Sequence, residues 1–326
     1  MKTNHGVKWA VLSAIVYSII VGFSFLFMKS ALEFADPFVA LAYRFIISFI
    51  VMSVPVGLGL IKLQFRGKSF RGLLWLALLY PTLFFALQAF GLKYATSAEG
   101  GILYAFTPIL TVMFAAYFLK ERTNRLQKLS IAISVFGVLL MVLVKGVGLD
   151  PSHLVGILLL FLSVLSFAGY GVLARKLTQQ FRPAELTYFM MGVGSIVFGL
   201  IALVQHGMNG TMSALVTPLT YGSFWTSILY LSVLSSLLSF LLITFTLSKM
   251  EASKVSVFSN LSTVVSMIAG AVLLGESVTL YDWIGSALII AGVIGMNIRG
   301  NRAASAPASA SASKQQKSAA PQQIKG

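Results

Sequence analysis

The chain has 326 residues, of which 57% are hydrophobic and only 10% are charged, with a formal net charge of +15. Soluble domains carry about 25% charged residues, so this composition excludes an ordinary soluble domain and indicates a protein of the lipid bilayer. The chain contains no cysteine, which excludes disulfides, thiolate catalysis and cysteine-based metal sites.

Apolar runs follow one another along the chain, each long enough to cross a hydrocarbon core of about 30 Å as a helix of about 20 residues. They lie near residues 9–28, 38–61, 72–91, 100–119, 126–144, 154–174, 184–205, 224–247, 255–275 and 281–298. Because the runs are continuously apolar and do not alternate with a period of two, we expect ten transmembrane helices, spans one to ten. The remaining residues, 299–326, predict a disordered cytoplasmic tail.

Basic residues are unevenly distributed between the loops. With the N-terminus placed in the cytoplasm, 20 of the 24 Lys and Arg residues fall on the cytoplasmic side, and only Lys29, Lys93 and Lys145 fall opposite. This bias follows the positive-inside rule and predicts a multi-pass protein of the cytoplasmic membrane with both termini inside. Since loop placement accounts for the positive charge, we expect no nucleic-acid partner.

An internal repeat relates the two halves of the chain. Residues 108–141 recur as residues 263–296 at a constant offset of 155 positions, so spans four and five match spans nine and ten. We therefore divide the chain into units of five spans, residues 8–145 and 153–298. An odd number of spans places the second unit upside down in the membrane, which is the inverted repeat of many secondary transporters. The fold class expected is an all-α integral membrane protein with two inverted five-helix repeats.

Segments at equivalent places of the two units carry a family pattern. They are Leu92–Ala98, Thr107–Ile109 and Phe118–Arg122 in the first unit, and Leu247–Ser253 and Leu273–Glu276 in the second. Over about residues 8–298 the chain resembles the EamA family of the drug/metabolite transporter superfamily. That resemblance implies an inner-membrane carrier, typically an exporter of amino acids or other small metabolites. It also implies a central cavity lined by helices one, three, four, six, eight and nine.

Several polar side chains lie well inside the predicted lining spans, where an unpartnered hydrogen-bonding group is costly. Such groups either bond to one another or face water and substrate. Together with the one charge in a span, they are our candidate substrate-binding residues: Tyr17, Arg44, Gln88, Tyr104, Tyr170 and Asn260. Glu121 and Glu276, which end spans four and nine, are expected to make hydrogen bonds or salt bridges at loop ends.

Arg44 lies seven residues past Pro37, roughly 10 Å below the outer end of span two at about 1.5 Å per residue. One interpretation is structural, with Arg44 snorkelling to the surface or pairing with Glu99 at the outer end of span four. The alternative is that Arg44 holds an anionic group such as a substrate carboxylate. No acidic residue or histidine lies in the middle of a span, so facilitated diffusion is possible, although Glu99 could couple a proton near the outer face.

These features favour a secondary transporter that exports a small metabolite, an amino acid or related compound, by alternating access. A membrane-embedded enzyme acting on lipid and a non-transporting scaffold or sensor are the alternatives. The chain lacks a Walker A loop, a His-Glu-x-x-His motif and clustered carboxylates, so we expect no enzymatic activity, catalytic residue, metal or cofactor. The expected partners are a small-molecule metabolite and membrane lipid.

Overall fold

A computed structural model describes the chain as helices joined by turns. It covers residues 2–66, 68–94, 103–104, 106–121, 123–144, 154–274 and 280–298, none of which lies in a strand. The helices of the first half are α1 (Lys2–Leu32), α2 (Pro37–Gly57), α3 (Phe70–Ala77), α4 (Phe84–Tyr94), α5 (Thr107–Phe114) and α6 (Arg125–Val144). Those of the second half are α7 (Leu154–Leu177), α8 (Pro183–Met208), α9 (Ser213–Val216), α10 (Gly222–Leu229), α11 (Ser239–Lys249), α12 (Ala252–Ser256), α13 (Ser259–Leu274) and α14 (Leu280–Ile298).

Many of these helices are suited to a bilayer. Within the described ranges, six helical stretches are long and apolar enough to cross a membrane: Gly6–Leu32, Pro37–Gly57, Phe70–Gly91, Val155–Leu177, Pro183–Met208 and Gly222–Lys249. Two shorter apolar helices are Thr107–Leu119 and Trp283–Gly295. The expected all-helical membrane protein is confirmed, whereas the count of ten spans stays a prediction. The expected tail, residues 299–326, lies outside the described residues.

Two of the long apolar helices and one shorter helix contain a π-helical segment. The segments are Leu78–Leu83 between α3 and α4, Ala115–Leu119 after α5, and Tyr230–Leu238 between α10 and α11. In the first of them, Tyr80 has a non-helical backbone (φ −151°, ψ 116°), and Pro81 lacks the amide hydrogen that a helix needs. Such segments occur frequently at functional sites. The three segments are therefore candidate parts of a functional site.

Helices α2 and α8 pack side by side in opposite directions. Asp36 caps the start of α2, and its Oδ2 lies 2.6 Å from Nε2 of His206 near the end of α8. At the other end, Glu185 in the first turn of α8 accepts hydrogen bonds from the Gln64 backbone N–H (3.0 Å) and from Lys68 Nζ (2.7 Å). The start of each helix thus lies beside the end of the other.

Helices α6 and α14 approach closely through glycines. A Cβ atom on Gly137 would lie 2.6 Å from the carbonyl oxygen of Gly285, and one on Gly292 would lie 2.6 Å from that of Ser130. At the offset of 155 positions, Gly292 is the equivalent of Gly137, and Gly285 is the equivalent of Ser130. The same close contact therefore occurs twice, with the two halves exchanged.

Aromatic side chains fill the centre of the helix bundle. The buried ring of Phe45 on α2 lies 5.4 Å from the Phe198 ring, 6.4 Å from the Phe240 ring and 5.4 Å from the Phe85 ring, between centroids. This cluster joins α2, α4, α8 and α11. It places the neighbouring residue, Arg44, deep between helices rather than at the lipid surface.

Candidate functional site

Arg44 lies on α2 with only 5% of its surface exposed. Its Nε donates a hydrogen bond to Ser236 Oγ (2.6 Å), and its Nη2 donates one to Ser235 Oγ (3.0 Å). The guanidinium carbon lies 4.6 Å from the centroid of the Phe85 ring, a cation–π contact. Arg44 is therefore held inside the protein and does not snorkel to the bilayer surface.

The charge of Arg44 is not balanced by a carboxylate in the described part of the chain. The two serine bonds use two of the five guanidinium N–H groups, and serine oxygens carry no charge. A buried charge without a counter-ion is costly. Glu99, the expected structural partner, lies outside the described residues. Within the described residues, the site thus presents a buried positive charge whose other N–H groups have no hydrogen-bond partner.

A serine-rich contact holds α2 against the π-helical segment Tyr230–Leu238. Ser48 Oγ, one turn after Arg44, donates both to the Arg44 carbonyl oxygen (2.6 Å) and to the Ser232 carbonyl oxygen (2.8 Å). Since an irregular backbone within lipid needs such partners, the bond stabilises the π-helical segment where it carries Ser235 and Ser236. The position of Arg44 is consequently set from both halves of the chain.

Arg44 lines a cavity between α1, α2 and α4, which we call the Arg44 cavity. Phe85, Gln88 and Leu41 also line it, and its volume is ≈ 40 Å³. Gln88 Nε2 donates a hydrogen bond to the hydroxyl of Tyr104 (3.2 Å). Three of the sequence-predicted residues, Arg44, Gln88 and Tyr104, are therefore brought together here.

A second cavity lies between α1, α5, α7, α11 and α12, and we call it the Tyr170 cavity. Tyr17, Thr107, Thr111, Phe167 and Tyr170 line it on three helices, and its volume is ≈ 20 Å³. Val255 and Ser256 of α12 and Ser259 of α13 complete the wall opposite Thr107 and Thr111 of α5. Both cavities have room for water but not for a metabolite, so binding a substrate requires the helices to separate.

The side chain of Tyr80 lies between the two cavities. Its ring centroid is 4.6 Å from that of Tyr170, 5.4 Å from that of Phe85 and 4.7 Å from that of Phe240. Tyr80 therefore links the walls of both cavities through an aromatic layer. Tyr80 is not among the site residues predicted from the sequence; the available signal was Pro81, a proline inside an apolar run.

Asn260 does not join the other predicted site residues. It is buried on α13, and its Nδ2 donates a hydrogen bond to Ser134 Oγ (3.0 Å) on α6. Neither cavity is lined by Asn260. Its contact is a bond between helices, the alternative role open to a polar group inside a span.

Carboxylates elsewhere make contacts at the ends of helices. Glu121 accepts hydrogen bonds from the Ala252 and Ser253 backbone N–H groups (3.1 and 3.3 Å) and from Ser253 Oγ (2.7 Å). Glu121 thus makes the hydrogen bonds expected at a loop end, whereas Glu276 lies outside the described residues. In the described ranges, no three His, Asp or Glu side chains are grouped closely enough to hold a metal.

Comparisons with known proteins identify similar chains. The model of the "EamA-like transporter family" matches residues 8–143 and 154–298. The "Uncharacterized transporter YcxC" of Bacillus subtilis (strain 168) is 48% identical over 295 residues, which cover 90% of this chain and 95% of that protein. The "Uncharacterized transporter YyaM" of the same organism is 27% identical over 282 residues, covering 85% and 90%. A solved structure described as "Crystal structure of protein" has a TM-score of 0.71 at 20% identity, covers 91% and 99%, and shows similarity of fold alone.

Proposed function

Because the chain belongs to the EamA-like transporter family, we propose that it is a secondary transporter that moves an amino acid or related carboxylate across the cytoplasmic membrane. Transport occurs by alternating access, in the direction of export. The observation that carries this proposal is the buried Arg44, which has no carboxylate partner among the described residues.

Arg44 is suited to hold a substrate carboxylate. A guanidinium can donate two parallel hydrogen bonds to a carboxylate, and such charge-assisted bonds are about twice as strong as neutral ones. Ser235 and Ser236 orient the guanidinium without neutralising it, and the Phe85 ring covers one face. An incoming carboxylate would both balance the buried charge and use the free N–H groups, so this geometry favours anionic metabolites.

The two units of this carrier are residues 8–145 and 153–298, arranged as inverted five-helix repeats with ten spans. The reciprocal contacts Gly137 with Gly285 and Gly292 with Ser130 support this arrangement, because exchanging the halves reproduces the contact. The π-helical segments between α3 and α4 and between α10 and α11 support it too, since each interrupts the third span of its unit. Interrupted helices at corresponding positions mark the binding site of many transporters.

The two cavities lie on opposite sides of the aromatic layer around Tyr80. With the termini in the cytoplasm, the Arg44 cavity, beside the end of α1 and the start of α2, belongs to the outer half of the membrane. The Tyr170 cavity, beside the start of α12, belongs to the inner half. If one cavity opens to its side of the membrane while the Tyr80 ring blocks passage to the other cavity, the transport path is open to only one side at a time. This is the requirement of alternating access.

Reconstituted transport tests this function. The purified protein is placed in liposomes loaded with unlabelled L-amino acids, and exchange for external radiolabelled amino acids is measured for each compound. Arg44→Gln is expected to lower transport of the carried compound by about 10- to 100-fold, the loss expected for a charge-assisted hydrogen bond.

The matched control is Arg71→Gln, which makes the same chemical change at an exposed residue in the first turn of α3 and should leave transport unchanged. Equal abundance of both variants in the membrane separates a binding role of Arg44 from a structural one. Normal exchange by Arg44→Gln, or loss of that variant from the membrane, would contradict the proposed role.

A further inference from the structure

Two buried hydroxyl oxygens in the wall of the Tyr170 cavity have no hydrogen-bond partner among the described residues. They are the hydroxyl of Tyr170, which is fully buried, and Oγ1 of Thr107, which is 1% exposed. Both residues line the cavity. Buried polar groups in folded proteins nearly always have a partner, so each unpaired group requires an explanation.

Other hydroxyls on nearby helices are bonded within the protein. Thr244 and Thr246 on α11 donate to carbonyl oxygens four residues earlier, at 2.6 and 2.8 Å. Ser256, which also lines the cavity, donates to the Ser253 carbonyl oxygen at 3.0 Å. Thr107 begins α5 and makes no such bond, while the Tyr170 hydroxyl is too far from its own backbone to make one. Among the described lining residues, Thr107 and Tyr170 are therefore the two whose hydroxyl oxygens are both buried and unpaired.

The remainder of the wall limits what can enter. Every residue that lines the Tyr170 cavity is uncharged, and Phe167 and Tyr170 contribute stacked rings with centroids 5.9 Å apart. A second charged group on a substrate would lose its hydration here without gaining a counter-ion, which is unfavourable. A hydroxyl or carboxamide could exchange hydrogen bonds with Tyr170 and Thr107.

We propose that the Tyr170 cavity is a second subsite on the transport path, where Tyr170 and Thr107 select substrates with an uncharged hydrogen-bonding side chain. The proposal rests on the proposed function, in which Arg44 holds the carboxylate. Specificity is thus divided: the Arg44 cavity requires the carboxylate, and the Tyr170 cavity distinguishes the side chain. A site that hydrogen-bonds a hydroxyl of the substrate disfavours an analogue that lacks it, because its own buried polar groups are then left unpaired.

The absence of cysteine allows a direct measurement. Ser256→Cys places a single thiol in the wall of the Tyr170 cavity, and its rate of reaction with a maleimide is measured on the purified protein. Two compounds of nearly equal shape are compared in separate reactions: L-threonine against L-valine, and L-asparagine against L-aspartate. We expect L-threonine to slow the labelling at a concentration about fivefold lower than L-valine needs, and L-asparagine at one about fivefold lower than L-aspartate needs.

Variants assign this difference to the two hydroxyls. In the Ser256→Cys background, Tyr170→Phe and Thr107→Val each remove a hydroxyl with little change of shape and should abolish the difference between L-threonine and L-valine. The difference between L-asparagine and L-aspartate should persist, because the wall stays uncharged in both variants. Tyr117→Phe, at a highly exposed residue outside the cavity, is the matched control and should preserve both differences. Equal protection by L-threonine and L-valine in the parent protein, or a difference between these two compounds that survives in either variant, overturns the second subsite.

A further compound separates this inference from the role of Arg44. L-Threoninamide keeps the hydroxyl of L-threonine but lacks the carboxylate, so weaker protection by it reports the Arg44 cavity alone. If L-threoninamide and L-threonine protect the thiol equally while L-threonine still protects better than L-valine, Arg44 does not bind the carboxylate, but the second subsite stands. Absence of protection by every compound overturns both.

Discussion

Glu121, at the end of the π-helical segment that follows α5, accepts two hydrogen bonds from Ser253 at the start of the second half's α12. A third comes from the Ala252 backbone N–H at 3.1 Å. Since the two residues belong to different predicted repeat units, their contact joins the units at the end of the Tyr170 cavity that α12 closes. It holds that end of the cavity shut in this structure.

Glu121→Ala should lower the free energy of unfolding by about 1–3 kcal/mol, because it leaves buried donors of α12 unpaired. Thermal unfolding of the purified protein in detergent measures the loss. Glu251→Ala is the matched control: its partly exposed i,i+3 ion pair with Lys254 should contribute less than about 0.5 kcal/mol. Equal melting temperatures for the parent and Glu121→Ala would refute a closing role for Glu121.

Glu99→Gln distinguishes the two interpretations of Arg44. If Arg44 binds the substrate carboxylate, loss of the Glu99 charge should leave the affinity for the carried amino acid within about twofold of the parent value. Binding is measured by competition in the reconstituted exchange assay. If Glu99 is instead the counter-ion of Arg44, Glu99→Gln should impair transport as strongly as Arg44→Gln does.

Gly137→Ala and Gly292→Ala should destabilise the protein to a similar extent. At each site the new methyl group would lie 2.6 Å from a backbone oxygen of the opposite helix, so α6 and α14 must move apart. Such overpacking costs about 1–3 kcal/mol. Gly199→Ala, where the nearest atom would be 3.6 Å away, is the control for denaturant or thermal unfolding. A large difference between Gly137→Ala and Gly292→Ala would argue against equivalent repeats.

Tyr80→Leu should connect the two cavities by removing a ring from the aromatic layer between them. In the Ser256→Cys background, a hydrophilic maleimide added outside sealed cells should then label the thiol faster than in the parent. Tyr80→Phe keeps the ring and should label at the parent rate. Unchanged labelling of Tyr80→Leu would show that Tyr80 is not the barrier between the cavities.

For helices α2 and α8, the sequence predicts where each helix begins but not that the two helices pack together. The apolar runs 38–61 and 184–205 predicted the starts of α2 and α8 within one residue, since these helices begin at Pro37 and Pro183. A proline at the first helical position is a local feature of the chain. The contact of α2 with α8 was not predictable in the same way. The contact depends on which face of each helix packs against the other. Because both helices are hydrophobic on all sides, their sequences do not mark that face.

The same limit applies to the site. Arg44 could be selected because a charge inside an apolar run is conspicuous, yet its partners Ser235 and Ser236 are more than 190 positions away. Asn260 was conspicuous for the same reason, but the rotation of α13 directs it to Ser134 and away from both cavities. Tyr80 escaped notice because tyrosines are common in such helices, and only the break at Pro81 places it between the cavities.

The membrane environment, the helical class, the family and the internal repeat could be predicted from the amino-acid sequence, since composition, run length and periodicity are properties of the linear chain. Which polar groups meet, which remain unpaired and where the cavities lie depend on how the helices pack. Transmembrane helices are apolar on all sides, so no strong amphipathic pattern in the sequence fixes their rotation about the helix axis. Their rotations are set by close packing and by a few hydrogen bonds between distant residues, such as those of Arg44.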